Sequence, residues 1–255
     1  MRHLFLTSPD HPAAYFDWIA PRYDEVWTNT QAGRSQRDAV WRQIDPLIRQ
    51  GDRVLDIGCG TGEDALHFSR LGADVLAIDA SPEMVRFARG RGVNTRLLRV
   101  ERIRELTSTY ELVLSNFGVF NCIRDLWTLR EPLAHLLSPR GYLAVCLMSR
   151  FCLWESLHYA LRGQLRKASR RWCGKTTASG GLRVYYPSAT EVQNALLPGF
   201  SLVIDVGIGI AVPPSFAKPI PARLFNNLAR LDARIGASKL GRTIGDHRLF
   251  VFRRS

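Results

Sequence analysis

The stretch from Arg53 to Ala80, RVLDIGCGTGEDALHFSRLGADVLAIDA, constrains the fold more than any other part of the chain. Val54, Leu55 and Ile57 form a short apolar run, which is typical of a parallel strand buried on both faces. Gly58, Gly60 and Gly62 follow it. Glycines this closely spaced allow a tight turn and let a ligand approach the backbone without interference from a Cβ atom. A helical pattern begins at the end of this turn.

An acidic residue closes the next predicted strand. The apolar run 75–78 indicates a second buried strand, and Asp79 ends it, 17 residues beyond Gly62. In a doubly wound parallel sheet, the end of the second strand lies beside a ribose held over the first turn. A carboxylate there can accept hydrogen bonds from both ribose hydroxyls. The pattern therefore predicts a cofactor that contains a ribose.

The residues after the glycines distinguish between two kinds of nucleotide cofactor. Dinucleotide-binding domains use G-x-G-x-x-G and hold a pyrophosphate at the helix N-terminus. This chain has G-x-G-x-G followed directly by Glu63 and Asp64. Two carboxylates at a helix start favour a ligand end that is cationic or neutral over a pyrophosphate.

With Asp56 before the glycines and the sequence DASPEM from Asp79 to Met84, the stretch resembles the class I S-adenosylmethionine-dependent methyltransferases. It is most similar to their small-molecule branch, the type 11 group related to ubiquinone- and biotin-pathway methyltransferases. The resemblance runs from about Tyr15 to Met148 and is weak afterwards. It implies an α/β fold, with a doubly wound, seven-stranded, mostly parallel Rossmann-like sheet. It also implies an enzyme that uses S-adenosylmethionine as cofactor.

The resemblance extends to particular residues. The N-terminal sequence fits the F-x-x-x-A-x-x-Y-D pattern of a lid, which places Tyr15 and Tyr23 near the sulfonium, where aromatic faces suit a cation. Positions matching Ala80 and Met84 flank the adenine, and Glu101 is the candidate acceptor for its amino group. The complete predicted cofactor site is Asp56, Gly58, Cys59, Gly60, Gly62, Asp79, Ala80, Met84, Glu101, Asn116, Tyr15 and Tyr23.

The pattern changes after Met148. Apolar residues recur at spacings of three and four from 151 to 172, with arginines between them, which predicts one long basic amphipathic helix. A glycine-containing loop follows, and a second insertion carries another basic helix. We therefore expect a single methyltransferase domain with helical cap insertions. Its predicted parts are a lid at 1–50, a cofactor-binding core at 51–149, caps at about 150–186 and 211–246, and returning core elements at 187–210 and 247–255.

The expected reaction is transfer of a methyl group to an oxygen or carbon of a small acceptor. The acceptor would be apolar or amphipathic, and an acidic group on it would suit the basic caps. Transfer to a hydroxyl calls for a general base. The candidates on the cap side are His158, Tyr185 and Tyr186.

The net charge of +12 is confined to the second part of the chain. Residues 149–255 hold 17 basic and 5 acidic residues, whereas residues 1–148 are balanced. Such a surplus can attract anionic substrates, phospholipid surfaces or nucleic acid. An RNA-directed methyltransferase or nucleic-acid binder is therefore the alternative function, and peripheral contact with an anionic membrane is a third interpretation. The loop from Ser115 to Asn121 counts against nucleic acid, because it lacks the double proline that shapes a slot for a flipped base.

The five cysteines are odd in number and show no paired metal-ligand spacing. This favours reduced thiols in a cytoplasmic protein and predicts no metal site. No apolar run approaches the roughly 18 residues that a membrane-spanning helix needs. The sequence does not indicate an oligomeric state.

Overall fold

A computed structural model describes residues 12–178, 181–215, 217 and 220–255. A seven-stranded sheet in the order β3-β2-β1-β4-β5-β9-β8 forms its centre. β9 runs antiparallel to β5 and β8, while β3, β2, β1, β4 and β5 pair in parallel. The strands are β1 (Arg53–Ile57), β2 (Asp74–Asp79), β3 (Thr95–Leu97), β4 (Tyr110–Ser115), β5 (Leu137–Met148), β6 (Lys175–Thr177), β7 (Arg183–Tyr185), β8 (Phe200–Ile208) and β9 (His247–Arg254). The predicted fold class is confirmed.

Helices cover both faces of this sheet. They are α1 (Pro12–Tyr23), α2 (Gln31–Ile44), α3 (Glu63–Arg70), α4 (Pro82–Gly90), α5 (Trp127–Leu136), α6 (Leu153–Ala160), α7 (Leu165–Ala168), α8 (Ala189–Leu196), α9 (Ala222–Ile235) and α10 (Lys239–Ile244). One core lies between the sheet, α5 and α8, and the other between the sheet, α2 and α3. Both faces of the central strands are buried, which explains why β1 and β4 are almost continuously apolar.

The strand order changes direction between β1 and β4. The carboxyl ends of these two strands therefore open a crevice at the same edge of the sheet, where doubly wound folds bind their ligands. The glycine turn after β1 and the loop after β4 both lie there. α1 crosses this edge and packs against α4.

The cap after β5 differs from the predicted single helix, and that prediction is wrong. The segment folds back on itself as α6 and α7, because Gly163 adopts φ +71° between them. The hydroxyl of Ser156 donates a hydrogen bond of 3.0 Å to the carbonyl of Ala168, which ties the two helices together. The apolar spacing continues through the turn, so the sequence pattern did not reveal it.

β6 lies within the segment 173–182 that was predicted to be a loop, and it forms a short hairpin with β7, which follows that segment. Leu182, Val184 and Tyr186, in and next to β7, are buried against Tyr15 and Phe16 of α1. The first cap therefore rests on the N-terminal helix above the crevice. The division into lid, core and caps stays a prediction. Among the helices that the structure describes, none combines the length and the apolar character needed to cross a membrane.

Candidate cofactor and acceptor site

The three glycines of the turn have different roles. All three adopt positive φ angles, +78°, +54° and +88° for Gly58, Gly60 and Gly62. A Cβ atom on Gly58 would lie 1.9 Å from the side chain of Val119, and one on Gly62 would lie 2.8 Å from Val93. A Cβ atom on Gly60 would meet nothing closer than the ring of Tyr23, at 3.7 Å. Gly60 therefore faces open space, whereas the other two glycines allow close packing.

Asp79 at the end of β2 is fixed against this turn. One carboxylate oxygen accepts a hydrogen bond of 2.9 Å from the N–H of Gly60, and the other accepts one of 2.9 Å from the N–H of Ser81. Burial raises the pKa of Asp79, while the hydrogen bonds from these backbone groups oppose that rise. The carboxylate is therefore rigidly oriented at the rim of a cavity.

That cavity lies between the turn, the ends of β2 and β4, and α1. It brings together these predicted cofactor residues: Gly58, Cys59, Gly60, Asp79, Ala80, Met84, Glu101, Asn116 and Tyr23. Phe16 of α1 and Phe117 after β4 also line it. Phe117 has φ +54°, a strained conformation for a residue with a side chain, and such strain is frequent at functional sites.

Three predicted cofactor residues do not line the cavity. Asp56 lies beneath the turn and is 1% exposed, and neither of its carboxylate oxygens has a well-formed hydrogen bond within the described residues. Burial and the neighbouring Asp64 raise its pKa well above the ordinary value. Gly62 begins α3. Tyr15 packs edge-on against Phe16, with ring centroids 5.5 Å apart.

A polar cluster that the sequence did not reveal closes one end of the cavity. Arg37 of α2 forms an ion pair with Asp64, and both are buried. Asp64 also accepts a hydrogen bond of 2.7 Å from the indole N–H of Trp41 and one of 3.2 Å from the amide of Asn116. Nε of Arg37 and Oδ1 of Asn116 have no hydrogen-bond partner in the part of the chain that the structure describes. Arg37 and Asn116 line the cavity, so one unpartnered donor and one unpartnered acceptor lie in its wall.

α1 is held over the cavity by two carboxylates. Asp17 accepts hydrogen bonds from the hydroxyl of Ser81, at 2.5 Å, and the N–H of Glu83, at 3.1 Å. Beyond the end of α1, Asp24 accepts one of 2.6 Å from the hydroxyl of Thr61 in the glycine turn. α1 is thus attached to both of the turns that border the cavity.

Tyr23, at the end of α1, lines the cavity and is half-buried. Burial raises the pKa of Tyr23 to about 12. Its hydroxyl therefore stays protonated near neutral pH, where it can donate a hydrogen bond but cannot act as a base.

The predicted catalytic residues lie outside the cofactor cavity. His158 is on α6, where its Nδ1 lies 3.0 Å from the guanidinium of Arg162. Tyr185 and Tyr186 line a second depression, beyond the loop that follows β4. Ile123 lines both this depression and the cofactor cavity, so the two are neighbours. The catalytic assignments stay predictions.

A glycine cradle joined to an acidic residue, at the switch point of a doubly wound sheet, defines a nucleotide-cofactor domain of the α/β class. A family model described as a methyltransferase domain matches residues 54–141. A demethylmenaquinone methyltransferase from Parafrankia sp. (strain EAN1pec) is 32% identical over 184 residues, which is 63% of this chain and 71% of that protein. The chain belongs to the S-adenosylmethionine-dependent methyltransferases, and the predicted family is confirmed.

Other relatives match over a shorter part. A ubiquinone biosynthesis O-methyltransferase from Sinorhizobium fredii (strain NBRC 101917 / NGR234) is 36% identical over 125 residues, 45% of this chain and 50% of that protein. The chain thus spans about half the length of this curated relative, and 60% of a demethylmenaquinone methyltransferase from Paenarthrobacter aurescens (strain TC1). The family model, at residues 54–141, matches the cofactor half.

Solved structures agree on the fold. A methyltransferase from Thermotoga maritima superposes with a TM-score of 0.62 at 16% identity, over 96% of this chain and all of that one. Magnesium protoporphyrin IX methyltransferase from Synechocystis PCC 6803, solved with S-adenosylhomocysteine, gives a TM-score of 0.59 at 15% identity, over 95% of this chain and 97% of that one.

Proposed function

We propose that this protein binds S-adenosylmethionine in the cavity under α1 and transfers its methyl group to an oxygen or carbon of a small apolar or amphipathic molecule. The observation that carries the proposal is the match between the cavity and the two ends of this cofactor. Asp79 offers a carboxylate to a ribose, and at the other end Arg37 and Asn116 offer an unpaired donor and an unpaired acceptor. An amino acid end carries the complementary carboxylate and ammonium groups.

The remaining contacts fit the rest of the cofactor. Met84, Leu98 and Glu101 line the cavity next to Asp79, and they suit an adenine by apolar packing and hydrogen bonding. The open space at Gly60 leaves room for the sugar, which a side chain there would fill. When bound, the cofactor supplies an electrophilic methyl group on a sulfonium. The residues of the chain then orient this group and exclude water from it.

Positioning is the main contribution we assign to the protein. Holding an acceptor in line with the methyl group can lower the barrier by about 7–11 kcal/mol. Phe16 and Tyr23 line the cavity from α1, and aromatic rings there suit a cationic sulfonium. Tyr23 stays neutral, so a base, where one is used, would come from another residue, with His158, Tyr185 and Tyr186 as the proposed candidates.

The relatives support a quinone-like acceptor, because their names refer to ubiquinone biosynthesis and to demethylmenaquinone. The decisive experiment measures S-adenosylhomocysteine binding by calorimetry, and then methyl transfer from labelled cofactor to polyprenylated catechols and demethylated naphthoquinols. Absence of S-adenosylhomocysteine binding would refute the proposal. Transfer to RNA with none to these acceptors would favour the RNA-directed alternative.

A second proposal concerns peripheral contact with an anionic membrane. Residues 161–167, at the turn between α6 and α7, are all exposed. Leu161 is 85% and Leu165 68% exposed, and Arg162, Arg166 and Lys167 stand between and beside them. The sequence from 156 to 190 contains no acidic residue. Exposed leucines among cations are typical of a surface that lies on anionic lipid.

Vesicle sedimentation tests this contact. We expect binding to vesicles that contain phosphatidylglycerol and little binding to pure phosphatidylcholine. The double variant Leu161→Ser and Leu165→Ser should lose most of the binding, whereas Leu240→Ser, a 65% exposed leucine on α10, should keep it. Equal sedimentation of all three proteins would argue against the contact.

The five unpaired cysteines support the cytoplasm as the proposed location.

A further inference from the structure

A groove leads away from the cofactor cavity at Ile123. We call it the acceptor groove and define it by Ile123, Arg124, Trp127, Arg150, Lys175 and Tyr185. Its inner part, next to Ile123, has aromatic walls formed by Trp127 and Tyr185. Its outer part is bordered by Arg124, Arg150 and Lys175. Arg124 and Arg150 also line the inner part, so aromatic and basic side chains lie next to each other along the groove.

The acidic groups of the groove are already engaged. Glu191 accepts a hydrogen bond of 2.6 Å from the N–H of Ser188 at the start of α8, and Arg150 lies 3.3 Å from it. Asp125 accepts one of 3.0 Å from the N–H of Trp127 at the start of α5. Both carboxylates thus serve helix N-termini, where negative charge is stabilised. Among the described residues, neither carboxylate forms an ion pair with Arg124 or Lys175.

Two cations of the groove lack an internal partner. Arg124 and Lys175 are exposed, and neither forms an ion pair or side-chain hydrogen bond among the described residues. They come from different elements, the loop after β4 and the start of β6, yet they border the same groove. Arg150 borders it as well. Arginine and lysine in such an arrangement bind carboxylates and phosphates.

We infer that the acceptor groove binds an amphipathic aromatic anion, with its ring against Trp127 and Tyr185 and its carboxylate or phosphate among Arg124, Arg150 and Lys175. This inference rests on the proposed function and adds the chemical class of the acceptor. Arg124 follows Ile123 directly in the chain, so the anionic group sits one residue from the wall of the cofactor cavity. The other side of the ring can then reach past Ile123 to the methyl group. The anion orients the acceptor and takes no part in the transfer.

Binding measurements with simple probes test this inference without knowledge of the natural acceptor. Calorimetry in the presence of S-adenosylhomocysteine compares 2-naphthoate, 2-naphthyl phosphate and the neutral 2-naphthamide. We expect at least one of the anions to bind about tenfold more tightly than the amide, because two to three exposed ion pairs add up to this difference. The tighter anion identifies the group. The preference should shrink as salt is added.

A matched pair of double variants locates the site. Arg124→Gln with Lys175→Gln should abolish the preference for the anion. Arg166→Gln with Lys167→Gln removes the same charge from the turn between α6 and α7 and should preserve the preference. Equal loss in both double variants would indicate a general charge effect and overturn the inference. Equal affinity of all three probes for the wild-type protein, or no binding of any of them, would also overturn it.

Two further measurements distinguish this inference from a failure of the proposed function and from binding of nucleic acid. S-adenosylhomocysteine binding is measured first and alone, since its absence refutes the proposed function itself. Cofactor binding without any preference for the anions refutes only the acceptor groove. A single-stranded RNA that displaces the naphthyl probes, and that binds less tightly after Arg124→Gln with Lys175→Gln, would overturn the inference in favour of nucleic acid.

Discussion

The carboxylate of Asp79 and the backbone N–H of Gly60 are joined by a hydrogen bond of 2.9 Å. The residue that ends β2 and the turn that ends β1 therefore fix each other. The bond leaves the carboxylate at the rim of the cavity, beside the one glycine of the turn that faces open space. A cofactor ribose bound here would contact both the carboxylate of Asp79 and the space beside Gly60. A single substitution at either residue tests this placement.

Asp79→Ala should weaken binding of S-adenosylhomocysteine by about 1.5–3 kcal/mol, the range for a hydrogen bond to a charged group, which is about 10- to 150-fold in affinity. Calorimetry measures it directly. Asp74→Ala, at the exposed opposite end of β2, is the matched control and should bind normally. Unchanged affinity in the Asp79 variant would remove this residue from the proposed site.

Gly60→Val should abolish cofactor binding, because the side chain would enter the cavity beside Tyr23. The positive φ adds about 1–2 kcal/mol of backbone strain for any residue with a Cβ. Gly92→Val controls for that strain, since Gly92 has φ +84° and open space around it but lies outside the cavity. We expect similar losses in thermal stability for both variants and loss of cofactor binding only for Gly60→Val. Normal cofactor binding by Gly60→Val would count against the proposed cradle.

The cofactor half could be predicted because its signals are local. The strand run 54–57 and the observed β1 agree within a residue, and Asp79 ends β2 as the pattern indicated. Each of these features depends on a few neighbouring residues. A buried parallel strand is mostly apolar, and a turn that approaches a ligand needs glycine, so both can be recognised in the sequence.

The polar cluster and the cap depend on contacts that a local pattern does not contain. Arg37 lies on a helix whose apolar stripe is visible, but its partner Asp64 is 27 residues away. In the cap, Arg171 donates a hydrogen bond of 2.8 Å to Asp246, 75 residues further on. The helical spacing of 151–172 continues across the turn at Gly163, so periodicity alone predicted one helix where the structure has two.

Arg37→Lys tests recognition of the amino acid end of the cofactor. Lysine can keep the charge next to Asp64 but lacks Nε, the unpaired donor of the arginine. We expect the affinity for S-adenosylhomocysteine to fall about tenfold, as for loss of a charged hydrogen bond. The affinity for 5′-methylthioadenosine, which has no amino acid end, should not change. Arg42→Lys on the exposed face of α2 should affect neither ligand. Equal weakening of both ligands by Arg37→Lys would contradict the assignment.

Arg171→Met tests the buried ion pairs that hold the cap on the sheet. Arg171 donates to Glu155 at 2.7 Å and to Asp246 at 2.8 Å, and all three residues are buried. Arg171→Met leaves two buried carboxylates without their shared guanidinium partner. The free energy of unfolding, measured in urea, should therefore fall by about 3–5 kcal/mol. Arg170, the other partner of Glu155, is partly exposed. Arg170→Met should therefore lower the free energy of unfolding by about 1 kcal/mol or less. Equal losses of free energy of unfolding in the two variants would show that the burial of Arg171 does not increase its contribution to stability.

Asp56→Asn predicts a change in how stability depends on pH. Burial and Asp64 raise the pKa of Asp56 in the folded protein above its ordinary value of 3.8. The folded state therefore binds this proton more tightly than the unfolded chain, and the stability gained from it is complete below about pH 4. That stability is lost as the pH rises through the raised pKa, and the asparagine variant has no such loss.

Urea unfolding of the cofactor-free proteins from pH 4 to 8 measures this difference. The free energy of unfolding of Asp56→Asn should increase relative to that of the wild type as the pH rises. Asp38→Asn, an exposed aspartate on α2, should follow the wild-type curve. A constant difference between Asp56→Asn and wild type across this range would show that Asp56 is ionised in the folded protein throughout.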